Sequence, residues 1–273
     1  MTGPPPLPPS PSPSLPPAPR SSPPPGDRGT PAIDNPPGAF LAIYRLLLRS
    51  LAKRGRLIGL GLVGLAGVLV ALAIGASKPF DPLGDGAHFI DHFGLSVLVP
   101  VTTLVFASAS IGDATDDGTL VYLWLRPVKR SRVALAAFAA SLTICLPLVG
   151  VPLVVAAALV GGGGELISGT AVSVAVAVVG YCGLFTAWGV RVRRALPWGL
   201  AYILLWEGFV ARAGKSAGRL ALLSYSQSVL SEYTGVGLRL AESPLAVGII
   251  VPIVVAGLAV AYASHRLNVQ DVA

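Results

Sequence analysis

Few side chains in this sequence have the types and spacing that chemistry requires. His88 and His92 stand four residues apart, with Asp85 and Asp91 beside them, and a histidine pair at this spacing on a helix can hold a metal ion. The stretch is short and contains aromatic residues, which is more typical of a loop at a membrane surface. We therefore predict a loop here and no metal site.

Acidic side chains form the second candidate set. Asp113, Asp116 and Asp117 are close together in the sequence, and clustered carboxylates can hold Mg²⁺. Glu207 differs, because it lies inside an apolar run, where a carboxylate is costly to bury and is a functional candidate by default. It would either belong to a pathway through the protein, or be paired with Arg212 or hydrogen-bonded across helices.

Two glycine patterns resemble nucleotide-binding loops but lack their context. Gly59, Gly61 and Gly64 match G-x-G-x-x-G inside a long apolar run, where small residues instead let helices approach closely. Residues 208–216 place five residues between the glycines where a P-loop has four. No Ser/His/Asp or Cys/His set can be assembled on one side of a membrane. We therefore predict that this chain has no ATPase activity of its own.

The composition excludes an ordinary water-soluble domain. Of the 273 residues 53% are apolar and 12% are charged, about half the charged fraction that is usual for soluble domains. Sixteen of the 25 prolines lie in residues 1–37, and such a segment cannot build a packed core. The sequence thus predicts an integral membrane protein behind a disordered Pro-rich tail at 1–37, for which docking to a proline-binding partner is the alternative.

Six apolar stretches are candidates for transmembrane helices, which need about 20 residues each. The third is longer than this, and Pro147 and Pro152 within it predict a kinked or strongly tilted helix. The fold class is therefore an all-α polytopic membrane protein, with a six-helix domain at 57–264 and a C-terminal tail at 265–273. The predicted spans are 57–76, 93–112, 133–160, 167–190, 195–211 and 245–264.

A basic amphipathic helix is predicted before the first span, at 38–56. Arg45, Arg49, Lys53 and Arg56 fall within one narrow stripe of this helix, opposite an apolar face. Such a helix lies in the membrane interface, where its cations contact anionic lipid head groups. We expect these four residues to form the lipid-interface site.

The distribution of basic residues predicts the orientation. With six spans, 15 of the 20 Lys and Arg residues fall on the side that holds both termini, and the side richer in Lys and Arg is the cytoplasmic one. Both termini are therefore predicted to be cytoplasmic, and the net charge of +7 needs no nucleic acid to explain it. The excess of Arg over Lys suggests a GC-rich coding sequence, and we expect a multi-pass protein of a bacterial cell membrane.

Residues 111–130 carry the most specific pattern in the chain. An acidic turn precedes a short apolar run, which is followed by a proline and a basic cluster. Residues 119–125 are predicted to form a short helix at the cytoplasmic surface, because Pro127 disfavours helix in the residue before it. Exposed Tyr122, Leu123 and Trp124 on such a helix need a partner.

This segment closely resembles the signature loop in permease subunits of ABC exporters of the second membrane-domain type. Ala114 departs from that pattern, since the family usually has glutamate there. The rest of the body resembles the family in plan only, with an interfacial helix, six spans and a long outer segment before the last span. The matching residues are Asp113, Asp116, Asp117, Thr119, Leu120, Tyr122, Leu123, Arg126, Pro127, Val128 and Arg130.

The resemblance implies a half-channel that pairs with a second permease, identical or different, and receives a separate cytosolic ABC ATPase on residues 113–132. ATP and Mg²⁺ would bind to that ATPase, and no cofactor would bind to this chain. Residues 212–244 would dip back toward the membrane and roof the pathway. The coupling residues would be Asp113, Asp116, Asp117, Thr119, Leu120, Tyr122, Leu123, Trp124, Arg126, Pro127 and Arg130.

Two other function classes stay open at this point. A membrane enzyme that modifies lipids would use Asp113, Asp116 and Asp117 to hold Mg²⁺, although the denser acidic motif of phosphoalcohol transferases is absent. A membrane scaffold would instead recruit a partner through the Pro-rich tail.

Overall fold

Helices make up the regular secondary structure of the residues that the structure describes. The computed structural model describes Gly3 and residues 39–116, 130–192, 194–210 and 218–269, with the backbone alone at 39, 113–116 and 269. These ranges contain no strand. The all-helical fold class is therefore confirmed for the described part of the chain.

Two of the eight helices in these ranges contain a π-helical section. In α3 this section, Ile90–Leu98, lies between α-helical ends at Pro82–Phe89 and Val99–Asp116, and in α6 it is Tyr202–Val210 after an α-helical start at Ala195–Ala201. The helices are α1 (Ala39–Leu51), α2 (Arg54–Ala76), α3 (82–116), α4 (Arg130–Val160), α5 (Gly163–Arg191), α6 (195–210), α7 (Leu222–Thr234) and α8 (Leu245–Val269).

Five of these helices are long and apolar enough to cross a membrane. They are α2, α3, α4, α5 and α8. The remaining predicted span, 195–211, corresponds to α6, whose described part, Ala195–Val210, is apolar but shorter than the roughly 17 residues that a span needs at minimum. The count of six spans and the cytoplasmic position of both termini stay predictions.

The run that contains His88 and His92, which was predicted to lie in the loop before the second span, is helical. α3 begins at Pro82 instead of position 93. The Asp81 side chain accepts a hydrogen bond of 2.9 Å from the backbone N–H of Gly84, and a proline in the first turn has the backbone angle that a helix needs. Two glycines in the following turn lower the helix propensity, which made the start hard to recognise.

The basic segment after the tail is divided between two helices. α1 ends at Leu51 and α2 begins at Arg54, with Lys53 in an extended conformation between them. Arg56 therefore lies in the first turn of α2 and not on the predicted amphipathic helix. The regular spacing of the cations continues across the break, and for this reason it did not reveal the break.

The described helices are arranged around α5, which packs against α3, α4, α7 and α8. Close approach depends on small residues. A Cβ atom at Gly189 would lie 2.4 Å from the backbone oxygen of Ser108 in α3, and one at Gly183 would lie 2.5 Å from the Cα atom of Ala256 in α8. Glycine at these two positions lets the helix backbones contact each other directly, as is usual in membrane proteins.

Candidate functional site

The predicted coupling segment joins α3 to α4. Asp113 and Asp116 lie in the last turn of α3, and Arg130 is the first residue of α4. The other coupling residues lie outside the described ranges, namely Asp117, Thr119, Leu120, Tyr122, Leu123, Trp124, Arg126 and Pro127. A force on this segment would therefore act on the ends of two candidate membrane spans.

Arg130 connects two helices at this end of the molecule. Its half-buried guanidinium group donates a hydrogen bond to the backbone oxygen of Leu267, which lies near the C-terminal end of α8. The last carbonyl groups of a helix have no partner within the helix and are commonly bound by Arg or Lys side chains. Arg130 therefore holds the start of α4 against the end of α8, a contact that the sequence did not reveal.

At the opposite end of α3, a buried polar contact connects the π-helical section to α7. Asp91 is 4% exposed and accepts a hydrogen bond from the side-chain amide of Gln227, which is 1% exposed. The Oε1 atom of Gln227 accepts a hydrogen bond of 3.0 Å from the backbone N–H of Leu240. One glutamine thus joins α3, α7 and the segment that leads to α8.

The two histidines stand beside this contact, at a cavity of about 340 Å³. His92 Nδ1 lies 2.8 Å from the backbone oxygen of His88 and 3.7 Å from a carboxylate oxygen of Asp91. The ranges that the structure describes contain no group of three or more His, Cys, Asp or Glu side chains placed to hold a metal ion. Asp91 is engaged in packing α3 against α7.

Glu207 lies in the π-helical section of α6 and is 2% exposed. Its carboxylate accepts hydrogen bonds from the hydroxyl group of Tyr181 in α5 and, at 3.2 Å, from that of Tyr202. Hydrogen bonding across helices, one of the two alternatives for Glu207, is therefore present. Arg212, the other candidate partner, lies outside the described ranges.

The same carboxylate also reaches the start of α7. The backbone N–H groups of Leu222 and Leu223 stabilise its negative charge, and these are the first two residues of α7, which has no side-chain cap of its own. The first N–H groups of a helix have no partner within it, and a negative charge there is favourable. Glu207 therefore caps α7 from another helix.

Helix α7 is thus held by two buried carboxylates, and each of them lies in a π-helical section. Asp91 binds it through Gln227 near its middle, and Glu207 binds it at its start. π-helical sections are rare and frequently occur at functional sites. Gln227 and Tyr181 were missed at the sequence level, because a polar residue in an apolar run does not indicate which distant side chain it meets.

The predicted lipid-interface residues differ in their surroundings. Arg45 and Arg49 are exposed on α1, on the side opposite buried Leu47 and Leu51. The buried side of α1 packs mainly against α4, where the Tyr44 hydroxyl oxygen lies 2.9 Å from Thr143 Oγ1. The apolar face of α1 is therefore covered largely by protein, while Arg45 and Arg49 remain available to head groups. Lys53 lies between α1 and α2, and Arg56 in α2.

The chain matches a known protein family. The family model described as "ABC-2 family transporter protein" matches residues 52–211, which is more than half of the chain and runs from the end of α1 through α6. No curated protein matches the chain closely enough to count as a relative.

Proposed function

The chain belongs to the ABC-2 family of transporter proteins and is its membrane component, and we propose that it is the permease subunit of an ATP-driven exporter. Two such permeases, identical or different, would form the translocation path. A separate cytosolic ABC ATPase would bind and hydrolyse ATP with Mg²⁺, since this chain carries no nucleotide-binding pattern in a suitable context. The family match over 52–211 carries the proposal.

Coupling to the ATPase is proposed to occur through residues 113–132. This segment resembles the signature loop of the family and joins α3 to α4. α3 packs along α4 and α5, so a displacement of the segment would be transmitted to the centre of the helix bundle. The coupling residues Asp113, Asp116, Asp117 and Arg130 would then flank the surface that the ATPase contacts.

The orientation is proposed from the charge distribution. With the side richer in Lys and Arg in the cytoplasm, residues 113–132 and both termini would be cytoplasmic and α7 would lie on the outer side. α6 would be the fifth span.

The outer side of the path is proposed to be roofed by α7. Two buried carboxylates hold this helix, one at its start and one through Gln227. Glu207, the candidate pathway residue, would then act on the pathway by positioning α7. Its contacts support this role, since it bonds Tyr181 and the first N–H groups of α7 together.

A double substitution in the coupling segment tests the proposal. Leu123→Ala with Trp124→Ala should remove apolar anchors of the kind that contribute about 2 kcal/mol or more each to an interface. We expect the chain to insert and fold normally while ATPase co-purification and ATP-dependent transport fall together. Leu205→Ala with Trp206→Ala is the matched control, because it changes a second Leu–Trp pair in α6, where Leu205 is 64% exposed, and should leave co-purification unchanged.

The same experiment separates the proposal from its rivals. If the variant with Leu123→Ala and Trp124→Ala keeps both ATPase co-purification and ATP-dependent transport, coupling through this segment loses its main support. A lipid-modifying enzyme would instead lose activity on substitution of Asp113, Asp116 and Asp117 and tolerate loss of the Leu–Trp pair. A scaffold would lose its partner on deletion of residues 1–37.

A further inference from the structure

A groove runs along the outside of the bundle between α4, α5 and α8. It has a volume of about 480 Å³, and apolar side chains line most of it, including Leu135, Phe138 and Val260. Its lining extends on α8 from Ile253 to Ser264, which is about 16 Å at 1.5 Å per residue. This is about half of the 30 Å hydrocarbon core of a bilayer, and so corresponds to one leaflet.

One end of this groove is polar and cationic. Ser131 and Ser264 line it there, and Arg130 bridges α4 and α8 just beyond them by its hydrogen bond to Leu267. An anionic group is therefore favoured at this end and an apolar chain along the rest.

A second groove on the bundle has no such polar end. It lies between α4 and α5, has a volume of about 380 Å³ and is lined only by apolar residues and glycine, among them Leu146, Gly150 and Val174. The two grooves are alike in size and apolar lining, and they differ in the two serines at one end of the first groove, with Arg130 beside them. This difference separates the first groove from an ordinary lipid-facing surface.

We propose that the groove between α4, α5 and α8 is a binding site for an anionic phospholipid of the cytoplasmic leaflet. One acyl chain lies along Leu135, Phe138 and Val260, and the phosphate lies at Ser131 and Ser264 near Arg130. The inference rests on the orientation proposed above, in which this end faces the cytoplasm. Basic pockets between transmembrane helices on that side are suited to anionic head groups.

Two glycines allow a clean test. A Cβ atom at Gly257 in the proposed site, or at Gly150 in the second groove, would meet no atom within 4 Å, so a larger residue can be introduced at either position without a clash at its Cβ atom. The full-length chain is purified in detergent, depleted of lipid and titrated with dioleoyl phosphatidylglycerol or dioleoyl phosphatidylcholine. Native mass spectrometry then counts the bound lipids and the number of chains per particle.

We expect the wild type to retain phosphatidylglycerol at least 10-fold more strongly than phosphatidylcholine. Gly257→Phe should lose one bound phosphatidylglycerol per chain, whereas Gly150→Phe should retain it. Arg130→Gln should weaken phosphatidylglycerol binding several-fold and leave the binding of phosphatidylcholine unchanged. Inorganic phosphate at millimolar concentration should not compete, because it lacks the acyl chain.

Three results would overturn the proposal. Equal retention of the two lipids by the wild type would overturn it, and this result does not depend on whether the variants fold. Competition by inorganic phosphate alone would indicate a simple anion site. A loss of dimers in Gly257→Phe without loss of lipid would show that a second copy of the chain, and not a phospholipid, covers the groove. Failure of the coupling test leaves this result unaffected, since lipid retention needs no ATPase.

Discussion

The central helices α3 and α5 differ from the peripheral helices α2 and α8 in a way that reverses the rule for soluble proteins. In the most apolar stretch of each helix, 78% of the residues of α3 and 72% of those of α5 are buried, compared with 17% in both α2 and α8. Yet α2 and α8 are the more hydrophobic pair. The most apolar helices therefore lie on the outside.

The physical reason is the absence of a hydrophobic driving force between helices in lipid. Hydrocarbon tails solvate Leu and Val as well as a protein interior does, so association depends on close packing and on hydrogen bonds. α3 and α5 have small and hydroxyl-bearing residues for this purpose, such as Ser108, Ser110 and Ser173, which are buried. The hydroxyl groups of these three serines bond backbone oxygens within the same helix, so the serines favour close packing by their small size and not by hydrogen bonds between helices.

The comparison predicts its largest effect at the contact between α3 and α5. In Gly189→Val the new Cβ atom would lie 2.4 Å from the backbone oxygen of Ser108, and the helices must separate to relieve the clash. We expect a loss of more than about 3 kcal/mol in the free energy of unfolding, measured by SDS-induced unfolding of the purified chain. Gly59→Val in α2 is the control, because a Cβ atom there meets nothing within 4 Å. Equal stability of the two variants would contradict the central position of α5.

A substitution at Glu207 tests whether hydrogen bonds stabilise the contacts with the central helix α5. α6 has an exposed apolar face, and Glu207 is its buried carboxylate. Glu207→Leu leaves the hydroxyl groups of Tyr181 and Tyr202 without their acceptor and removes the negative charge beside the first two N–H groups of α7. We expect a loss of about 2 kcal/mol and faster amide hydrogen exchange in α7 than in α5. Glu207→Gln keeps an acceptor oxygen and should recover part of the loss. A fully stable Glu207→Leu variant would mean that α7 is positioned by other contacts.

The smallest of these effects is expected when phenylalanine is replaced by alanine, once at a buried position and once at an exposed position. Phe106 in α3 is fully buried and Phe209 in α6 is 74% exposed. Phe106→Ala should lower the free energy of unfolding by about 1–2 kcal/mol, because the packing contacts of the ring disappear. The loss is smaller than in a water-soluble protein, because in lipid the side chain is not transferred to water on unfolding. Phe209→Ala should have an effect near zero, as measured in the same unfolding assay. Similar losses at both positions would mean that a partner covers α6.

The pattern of apolar residues in the sequence was sufficient to predict the fold class and most of the helices. Apolar runs of the right length predicted five candidate spans, with differences mainly at their ends, because length and composition are local properties that a bilayer selects directly. The start of α3 was missed, since Asp81 and Pro82 form a helix N-terminus next to glycines that suggest a loop. The break after α1 was missed because the cations keep their spacing across it.

The candidate sites also differ in how far the sequence predicted them. The coupling segment was recognisable from sequence because its signal is contiguous, and its assignment to an ATPase stays a prediction. Glu207 was noticed because a lone carboxylate in an apolar run is conspicuous, but its partners in α5 and α7 were not predictable. The contact between Asp91 and Gln227 joins residues 136 positions apart, and no local pattern connects them.

The sequence by itself determined that this protein is a helical membrane protein, which segments are apolar, and which family its signature loop resembles. These properties depend on composition and on short-range spacing, which each stretch of chain carries independently of the others. Only the tertiary structure decided that α5 is central, that Asp91 and Glu207 both hold α7, and that Arg130 joins α4 to α8. These contacts depend on which helix faces meet, and that choice follows from close packing and hydrogen bonding summed over the whole bundle.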